Sequence, residues 1–312
     1  MKKKIPLVII AGATGIGKSN LALSLAQELK TDIISADSRQ IYIDFDIGTA
    51  KPTLEEQKLV KHYLIDICTP KDVFSLSQYT EQAKKTIQGI YEQKKTPLLV
   101  GGTGLYIKTL IQGFSVPEVP PNQELREELT KKANLNGNKD LFEMAKTIDP
   151  KAMEKIHEND LIRIIRVIEV YETTGKKFSE LGTKSSEPVY DLIYIGLDLD
   201  REKLYKRIGL RVDKMIDEGL IAEVKNIIEK YGSDLPLLKT INYREIKQYL
   251  DKELSLEDAK ELMKKDTRNF AKRQLTWFRN DPYINFFNCE NTSDIENIKG
   301  YIRNSLKDKI EL

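Results

Sequence analysis

The most constraining feature of this 312-residue chain is a glycine-rich stretch near its start, Gly12-Ala13-Thr14-Gly15-Ile16-Gly17-Lys18-Ser19. It fits the pattern G-x-x-x-x-G-K-[ST] and stands between an apolar run and a helical pattern, where a phosphate-binding loop belongs. Its backbone N–H groups can point at phosphate oxygens, and the following helix N-terminus favours negative charge. We therefore predict that Gly12–Ser19 bind a diphosphate or nucleotide, with Lys18 reaching the phosphates and Ser19 binding Mg²⁺. A fortuitous glycine-rich turn is the alternative.

The hydrophobic pattern beyond this loop predicts an α/β fold. Short apolar runs rich in Val, Ile and Leu alternate with longer amphipathic stretches. This alternation is typical of parallel strands that are covered by helices on both faces. We predict a P-loop NTPase-like, mostly parallel sheet flanked by helices. The predicted strands are Leu7–Ala11, Asp32–Ala36, Tyr63–Ile67, Pro97–Val100, Leu192–Leu197 and, at an edge, Ile284–Asn288.

The alternation of strands and helices stops between about Phe114 and Pro188. The proline-rich segment Val116–Pro121 opens this region as a stiff linker, because proline fixes φ and removes a backbone donor. The rest of the region has a helical, charged pattern and contains no good strand. We predict an α/β catalytic core formed by residues 1–115 and 190–312, interrupted by a helical insertion domain at residues 116–189.

Composition limits the setting in which the chain works. Apolar residues make up 40% of it, and the charges nearly cancel at +2, so the net charge neither requires nor excludes a nucleic acid partner. Cys68 and Cys289 stand far apart and form no CxxC spacing, which favours reduced thiols. No segment approaches the ~20 apolar residues of a membrane span. We expect a cytoplasmic protein without membrane association.

Two further polar turns follow predicted strands. Asp37-Ser38-Arg39-Gln40 follows the second strand, and Gly101-Gly102-Thr103-Gly104 follows the fourth. Open α/β sheets bind ligands at this carboxyl edge, so we expect both turns near the P-loop. Asp37 could act as a general base there, although an Asp-Ser pair is also a common helix cap. The glycines could equally form a plain tight turn, and Asp66 is a poor match to the metal-binding carboxylate of P-loop NTPases.

A basic stripe near the C-terminal end suggests a nucleic-acid surface. Arg268, Lys272, Thr276 and Arg279 recur at helical spacing, with aromatic residues between them. Such a stripe can pair with phosphates while aromatic rings stack on bases. The alternative is a basic surface helix whose aromatic residues pack inward, and we expect Trp277 in the core under either interpretation.

Taken together, the motifs give a specific resemblance. The chain resembles the tRNA dimethylallyltransferases of the bacterial type over about residues 5–285. The motifs that carry the resemblance, in order, are Gly12–Ser19, Asp37-Ser38-x-Gln40, Gly48-Thr49-Ala50-Lys51-Pro52, Gly101-Gly102-Thr103-Gly104-Leu105-Tyr106, Arg163-x-x-Arg166-x-x-Glu169, Tyr243-Arg244-Glu245 and Lys272-Arg273-Gln274-Leu275-Thr276-Trp277-Phe278-Arg279. Asn242 departs from the family pattern, which usually has glycine before Tyr-Arg-Glu, and asparagine tolerates left-handed backbone better than most residues.

The resemblance implies a reaction and a set of roles. In that family the N6 amine of adenosine 37, in the anticodon stem-loop of tRNA, attacks dimethylallyl diphosphate, and diphosphate leaves. The implied catalytic residues are Asp37, Thr103, Lys18 and Arg211. The implied tRNA contacts are Asp37, Ser38, Arg39, Gln40, Thr103, Arg126, Ile162, Arg163, Ile164, Ile165, Arg166, Thr240, Tyr243, Arg244, Lys272, Arg273, Gln274 and Arg279. We expect a monomer that uses Mg²⁺.

Three other functions compete with this one. A small-molecule P-loop kinase would leave the basic aromatic helix unexplained. A prenyltransferase acting on free adenine nucleotides would leave the insertion without a purpose. A nucleotide-dependent RNA-binding regulator would need a better match to the metal-binding carboxylate than Asp66 provides.

Overall fold

The structure is a computed structural model and describes residues 4–113, 119–181, 185 and 187–310. The chain divides into two compact units. The first comprises Met1–Gln112 and Glu187–Leu312, and the second is Gly113–Ser186. The first half of the predicted linker Val116–Pro121, residues 116–118, lies outside the described residues.

The first unit is built on a parallel sheet. Within the described residues it has six strands in the order β3-β2-β4-β1-β5-β6, and every pairing is parallel. The central strand β1 is buried along its whole length, as its run of apolar residues predicts. The α/β class and the edge position of the last strand are confirmed. The strands are β1 Pro6–Ala11, β2 Ile33–Ser35, β3 His62–Tyr63, β4 Leu98–Gly101, β5 Asp191–Asp198 and β6 Asn285–Asn288.

Helices follow almost every strand. The helices are α1 Lys18–Glu28, α2 Leu54–Leu59, α3 Leu76–Glu92, α4 Gly104–Ile111, α5 Gln123–Asn136, α6 Lys139–Ile148, α7 Pro150–Met153, α8 Leu161–Thr174, α9 Arg201–Asp217, α10 Leu220–Tyr231, α11 Tyr243–Leu250, α12 Leu256–Arg279 and α13 Thr292–Ile310. Among the described residues, no helix is both long and apolar enough to cross a lipid bilayer.

Alternate residues of β1 face opposite sides of the sheet, as strand geometry requires. Val8 and Ile10 pack with α1, α9 and α13 in one core, whereas Leu7 and Ile9 pack with α3 and α4 in the other. Helices cover both faces of the sheet. The carboxyl ends of β1, β2 and β4 remain free, and polar turns follow the strands there.

The third predicted strand is wrong in extent. Tyr63–Ile67 was expected from its apolar run, but the strand covers only His62–Tyr63. Leu64 and Asp66 have φ of 62° and 53°, which breaks the extended backbone directly after Tyr63. Leu64 and Ile65 are nevertheless buried. The apolar pattern therefore indicated burial correctly but did not indicate a strand.

The second unit is helical within its described residues. Helices α5, α6, α7 and α8 enclose a separate apolar core that includes Leu129, Leu141, Ile164 and Val167. Its α8 begins at the N-cap Asp160, whose side chain accepts a hydrogen bond from the Arg163 backbone. The unit has its own core, which is the property that defines a domain.

Candidate active site

The P-loop connects β1 to α1, as its motif predicts. Gly15 and Gly17 have φ of 78° and 110°, which side-chain-bearing residues rarely adopt, so these two positions need glycine. Lys18 is the first residue of α1, and its ammonium group donates a hydrogen bond to the Ala13 carbonyl at 2.8 Å. The side chains of Ala13 and Ile16 are in the core, so any phosphate contact from them comes through their backbone.

Charges of both signs lie close together beside the loop. Removal from water and, to a smaller extent, the nearby Arg211 lower the pKa of Lys18 to about 8, with Asp37 acting in the opposite direction. Burial also lowers the pKa of Arg211, and Asp37 again raises it. Two enclosed cations thus share one carboxylate, and an anionic ligand would relieve their mutual repulsion.

Asp37 does not cap a helix. Its Oδ1 accepts a hydrogen bond from the Arg39 backbone at 2.9 Å, within a turn that follows β2. The Ser38 backbone donates to Thr103 Oγ1 at 3.1 Å, which joins this turn to the one after β4. Gln40 donates to the Thr49 and Ala50 carbonyls and so holds the Gly48–Pro52 loop.

The glycine turn after β4 is more than a generic tight turn. A Cβ on Gly101 would lie 2.1 Å from the Ala36 carbonyl oxygen, so only glycine lets β4 approach the end of β2. A Cβ on Gly104 would lie 2.2 Å from the Trp277 indole. The two strand ends and α12 therefore meet at this turn.

These turns surround one cavity of about 400 Å³ in the first unit. It brings together many of the predicted site residues from six separate stretches of the chain. The predicted residues that line it are Thr14, Lys18, Ser19, Asp37, Ser38, Arg39, Gln40, Thr103, Arg211, Thr240, Tyr243, Arg244, Arg273 and Gln274. A depression of about 690 Å³ elsewhere in this unit contains Lys272 and Arg279 and none of the P-loop residues.

Gln274 and Tyr243 are buried lining residues whose side chains bond within the protein. Gln274 is buried, accepts a hydrogen bond from the Thr14 backbone and donates one to the Gly102 carbonyl. Tyr243 is also buried, and its hydroxyl donates to Glu223 at 2.7 Å. These side chains shape the cavity walls, and their contact with RNA stays a prediction.

Asp66 does not supply the metal-binding carboxylate. Its Oδ1 accepts a hydrogen bond from the buried ammonium group of Lys51, and it does not line the cavity. Among the described residues, no group of three or more His, Cys, Asp or Glu could hold a metal ion. Ser19, which lines the cavity at the start of α1, is the predicted metal ligand that remains in place.

The exposed side of α12 carries the predicted basic stripe. Lys272, Arg273 and Arg279 are exposed, although Arg279 also contacts Asp198 at 3.2 Å. Trp277 is 37% exposed, so its predicted place in the core is wrong; Phe278 takes the inward position, at 1% exposure. The Lys108 ammonium group lies 5.6 Å from the Trp277 ring. The aromatic side chain is therefore available on the basic surface.

The predicted RNA contacts of the insertion separate into two groups. Arg126 and Arg166 both donate to the buried carboxylate of Glu169, and Ile164 and Ile165 are buried in the core of the unit. The side chains of these two isoleucines face inward on α8, and the RNA contact predicted for this stretch stays a prediction. The exposed members are Ile162 and Arg163.

Sequence reasoning missed three residues around the cavity. Thr267 and Asn242 line it, and Glu223 holds its wall from outside. The sequence did give a signal for Asn242, because it stands before Tyr243 where the family usually has glycine. Thr267 lies on the inward face of α12, four residues before the buried Ala271. Residues at this spacing share a face of a helix, and this was the only sequence signal that Thr267 faces inward.

The sheet, the P-loop and the cavity at its carboxyl edge define an α/β protein of the P-loop class. The chain belongs to the IPP transferase family, whose model matches residues 40–281. It is 50% identical to a tRNA dimethylallyltransferase of Nostoc punctiforme, over 94% of each chain.

Solved structures agree with this assignment. The crystal structure of a full-length tRNA isopentenylpyrophosphate transferase from Bacillus halodurans matches with a TM-score of 0.73 and 38% identity, over 99% of each chain. A eukaryotic dimethylallyltransferase acting on tRNA matches with a TM-score of 0.80 and 27% identity, over 98% of this chain and 79% of that one.

Proposed function

We propose that this chain transfers a dimethylallyl group from dimethylallyl diphosphate to N6 of adenosine 37 in tRNA, releasing diphosphate. The observation that carries the proposal is that one cavity contains both a P-loop and Asp37. A phosphate grip and a carboxylate base are the two elements that such a transfer needs. The family and the relatives named for the same reaction on tRNA support the assignment.

The leaving group would bind on the P-loop side. Lys18 and Arg211 provide two cations that are already partly removed from water, and the loop and the N-terminus of α1 add N–H groups. Donors that are fixed before the reaction stabilise developing charge without reorganisation, at roughly 3–4 kcal/mol for each donor. The C–O bond to diphosphate would therefore break beside its strongest stabilising groups.

Asp37 would take up the proton. As the N6–carbon bond forms, the amine must lose one hydrogen, and Asp37 lies in the same cavity as the P-loop. Its contact with the Arg39 backbone uses Oδ1 and leaves the second carboxylate oxygen for the amine. The adenosine would enter this cavity flipped out of its stack, as enzymes acting on a base require.

Magnesium fits the site as a partner of the diphosphate. Mg²⁺ usually keeps several waters and takes one or two protein oxygens together with substrate phosphates. The Ser19 hydroxyl, which lines the cavity, is one such oxygen. The ion would neutralise part of the charge on the leaving group, while Lys18 and Arg211 act on it directly.

Transfer RNA would reach the cavity along α12. Arg273 lines the cavity and is exposed, and Lys272, Thr276 and Trp277 extend the same surface. Cations of this kind contribute salt-dependent affinity for phosphates, and an exposed indole can stack on a base. The expected monomeric state and cytoplasmic location stay predictions from the sequence.

The test is a transfer assay with Mg²⁺, labelled dimethylallyl diphosphate and unmodified tRNA, run beside AMP and ATP. Label in tRNA is expected. Label in AMP alone would favour a free-nucleotide prenyltransferase, and ATP turnover without prenyl transfer would favour a kinase or a regulator.

Two variants test the assignment of Asp37 as the base. Asp37→Asn is expected to abolish transfer while tRNA binding persists, whereas Asp217→Asn, an exposed residue of α9, should behave as wild type. An active Asp37→Asn protein would remove Asp37 from the mechanism.

A further inference from the structure

Helix α9 packs directly against the P-loop. A Cβ on Gly15 would lie only 3.0 Å from Cγ1 of Ile208, so the loop and this helix are in close contact. Arg211, on the same helix, lines the cavity of about 400 Å³ that contains the P-loop. Arg207 stands four residues earlier and shares that face of α9, but it lies outside the set of residues that line the cavity.

Arg207 donates to a backbone carbonyl of the P-loop. Its Nη1 lies 2.9 Å from the Ile16 oxygen, and its Nη2 lies 3.4 Å from the Glu290 carbonyl oxygen. The buried Cys289 thiol lies 3.6 Å from the same Ile16 oxygen. A guanidinium stays protonated and presents its donors in a fixed fork, so it can hold a carbonyl in one direction.

The direction of the Ile16 carbonyl determines the direction of a neighbouring donor. Ile16 C=O and Gly17 N–H belong to one planar peptide unit, and the peptide bonds of the described residues are trans. In a trans unit these two groups point in opposite directions. Arg207 and Cys289 contact the oxygen from outside the cavity lining. The Gly17 N–H therefore points toward the opposite side, where Lys18 lines the cavity.

The Gly17 N–H is a suitable donor for a ligand. Two other N–H groups of the loop bond within the protein: that of Thr14 donates to Gln274, and that of Ile16 donates to the Ala13 carbonyl. Gly17 is the N-cap residue of α1, and the first N–H groups of a helix have no partner inside it. Such groups bind phosphates when they point at them.

We infer that Arg207 is a positioning residue for the phosphate site: by holding the Ile16 carbonyl away from the cavity, it directs the Gly17 N–H at the diphosphate. This inference rests on the proposed function, because it requires that the P-loop bind a diphosphate. The same contact keeps a carbonyl oxygen, which would repel phosphate, out of the cavity. Arg207 does not touch the substrate; Lys18 and Arg211 do so.

The test is Arg207→Met, which keeps an unbranched stem and removes the donors. Loss of one directed N–H donor predicts a fall of about five- to tenfold in the affinity for inorganic diphosphate, measured by calorimetry in the presence of Mg²⁺. The matched control is Lys206→Met, which removes one charge from the neighbouring, exposed position of α9 and should leave this affinity at the wild-type value.

Salt separates positioning from simple attraction between charges. At about 1 M salt the Debye length is about 3 Å, so the attraction of a cation outside the cavity for the diphosphate is screened. The ratio of the wild-type affinity to that of Arg207→Met should stay the same at about 0.1 M and about 1 M salt. A ratio that falls to one at high salt would overturn the inference, because charge alone would then explain the defect.

Hydrogen exchange and kinetics report on the loop itself. Without ligand, peptides covering residues 12–19 should exchange faster in Arg207→Met, while peptides of β4 and β5 keep wild-type protection. The kcat/KM for dimethylallyl diphosphate should fall with the diphosphate affinity, and the KM for the RNA should stay unchanged. A general loss of protection in the sheet, or an equal rise in both KM values, would show that Arg207 supports the whole fold and would overturn the inference.

The outcomes separate this inference from the proposed function. If wild type transfers the prenyl group and Arg207→Met binds diphosphate as tightly as wild type, the inference is overturned and the proposed function stands. If wild type binds no diphosphate, the proposed function fails and the inference fails with it.

Discussion

Gln274 accepts a hydrogen bond at Oε1 from the backbone N–H of Thr14 at 2.8 Å, across 260 residues of sequence. Its Nε2 donates to the Gly102 carbonyl at 2.9 Å. One buried side chain of α12 thereby connects the P-loop to the glycine turn after β4. The helix that carries the basic surface is thus bonded directly to the P-loop.

Changing Gln274 should therefore affect the binding of diphosphate at the P-loop. Gln274→Glu keeps an acceptor for Thr14, but it cannot donate to Gly102 and it adds negative charge beside the P-loop. We expect a stability loss of about 1–3 kcal/mol in urea unfolding and weaker binding of inorganic diphosphate by calorimetry. Gln82→Glu, on an exposed position of α3, is the control. Unchanged diphosphate affinity in Gln274→Glu would contradict the coupling.

The sequence predicted those parts of the site in which local pattern and structure coincide. The P-loop was placed correctly because its motif requires a strand before it and a helix after it. The turns at Asp37 and Gly101 could be placed together because parallel strands end at one edge. The roles of Gln274 and Glu223 could not be predicted, since their backbone partners are more than 170 residues away and no local pattern encodes such a contact.

The differences between the sequence pattern and the structure have a common physical origin. The apolar residues Leu64 and Ile65 indicated a strand, but positive φ values at Leu64 and Asp66 turn the chain there. In α8, charged and apolar residues alternate, and only the direction of the helix decides that Ile164 is buried while Ile162 is 83% exposed. The sequence shows that a residue is apolar, but the elements that pack against it decide whether it is buried.

The titration of Lys18 predicts a pH dependence of diphosphate binding. Its pKa is lowered to about 8, so the ammonium group is charged at pH 7 and loses its proton as the pH rises past 8. The affinity for inorganic diphosphate should therefore fall between pH 7 and 9. Lys18→Arg should bind with little such loss, because arginine stays protonated.

The ionisation of diphosphate is the same in both titrations, so the ratio of the two affinities isolates Lys18. Bound diphosphate opposes the effect, since its charge raises the pKa of the lysine. Identical pH profiles for wild type and Lys18→Arg would contradict the lowered pKa.

Glu169 should be a major source of stability in the insertion. Burial alone would raise its pKa, but hydrogen bonds from Arg126 and Arg166 outweigh that effect, and the net pKa is lowered. A lowered pKa means that the carboxylate stabilises the folded unit at neutral pH and that this contribution is lost as the pH falls through the folded-state value.

Glu169→Ala should destabilise the insertion by about 3 kcal/mol, because it leaves two arginines without their buried partner. Hydrogen exchange of peptides from residues 119–181 is the measurement, with the exposed Glu172→Ala of α8 as the control. Wild-type protection in Glu169→Ala would show that the arginines have other partners there.

Glu223 should fix the loop that forms one wall of the cavity. Its carboxylate accepts hydrogen bonds from the backbones of Asp46, Ile47 and Gly48, at 3.2, 2.7 and 3.1 Å, and from the Tyr243 hydroxyl at 2.7 Å. Burial and the Glu223 charge raise the pKa of Tyr243 well above its usual range, so this hydroxyl stays protonated and donates.

Glu223→Gln would place an amide N–H₂ group against these donors, because only one oxygen remains to accept. Hydrogen bonds to a charged acceptor contribute about 1.5–3 kcal/mol each, so the variant should lose at least that much stability. Peptides covering residues 41–52 should exchange faster, and kcat/KM for the RNA should fall while diphosphate affinity is retained, since the P-loop does not contact this carboxylate. Glu229→Gln, at an exposed position of the same α10, should leave all of these measurements at wild-type values. Slow exchange of the 41–52 peptides in Glu223→Gln would mean that Gln40 and Lys51 alone hold the loop.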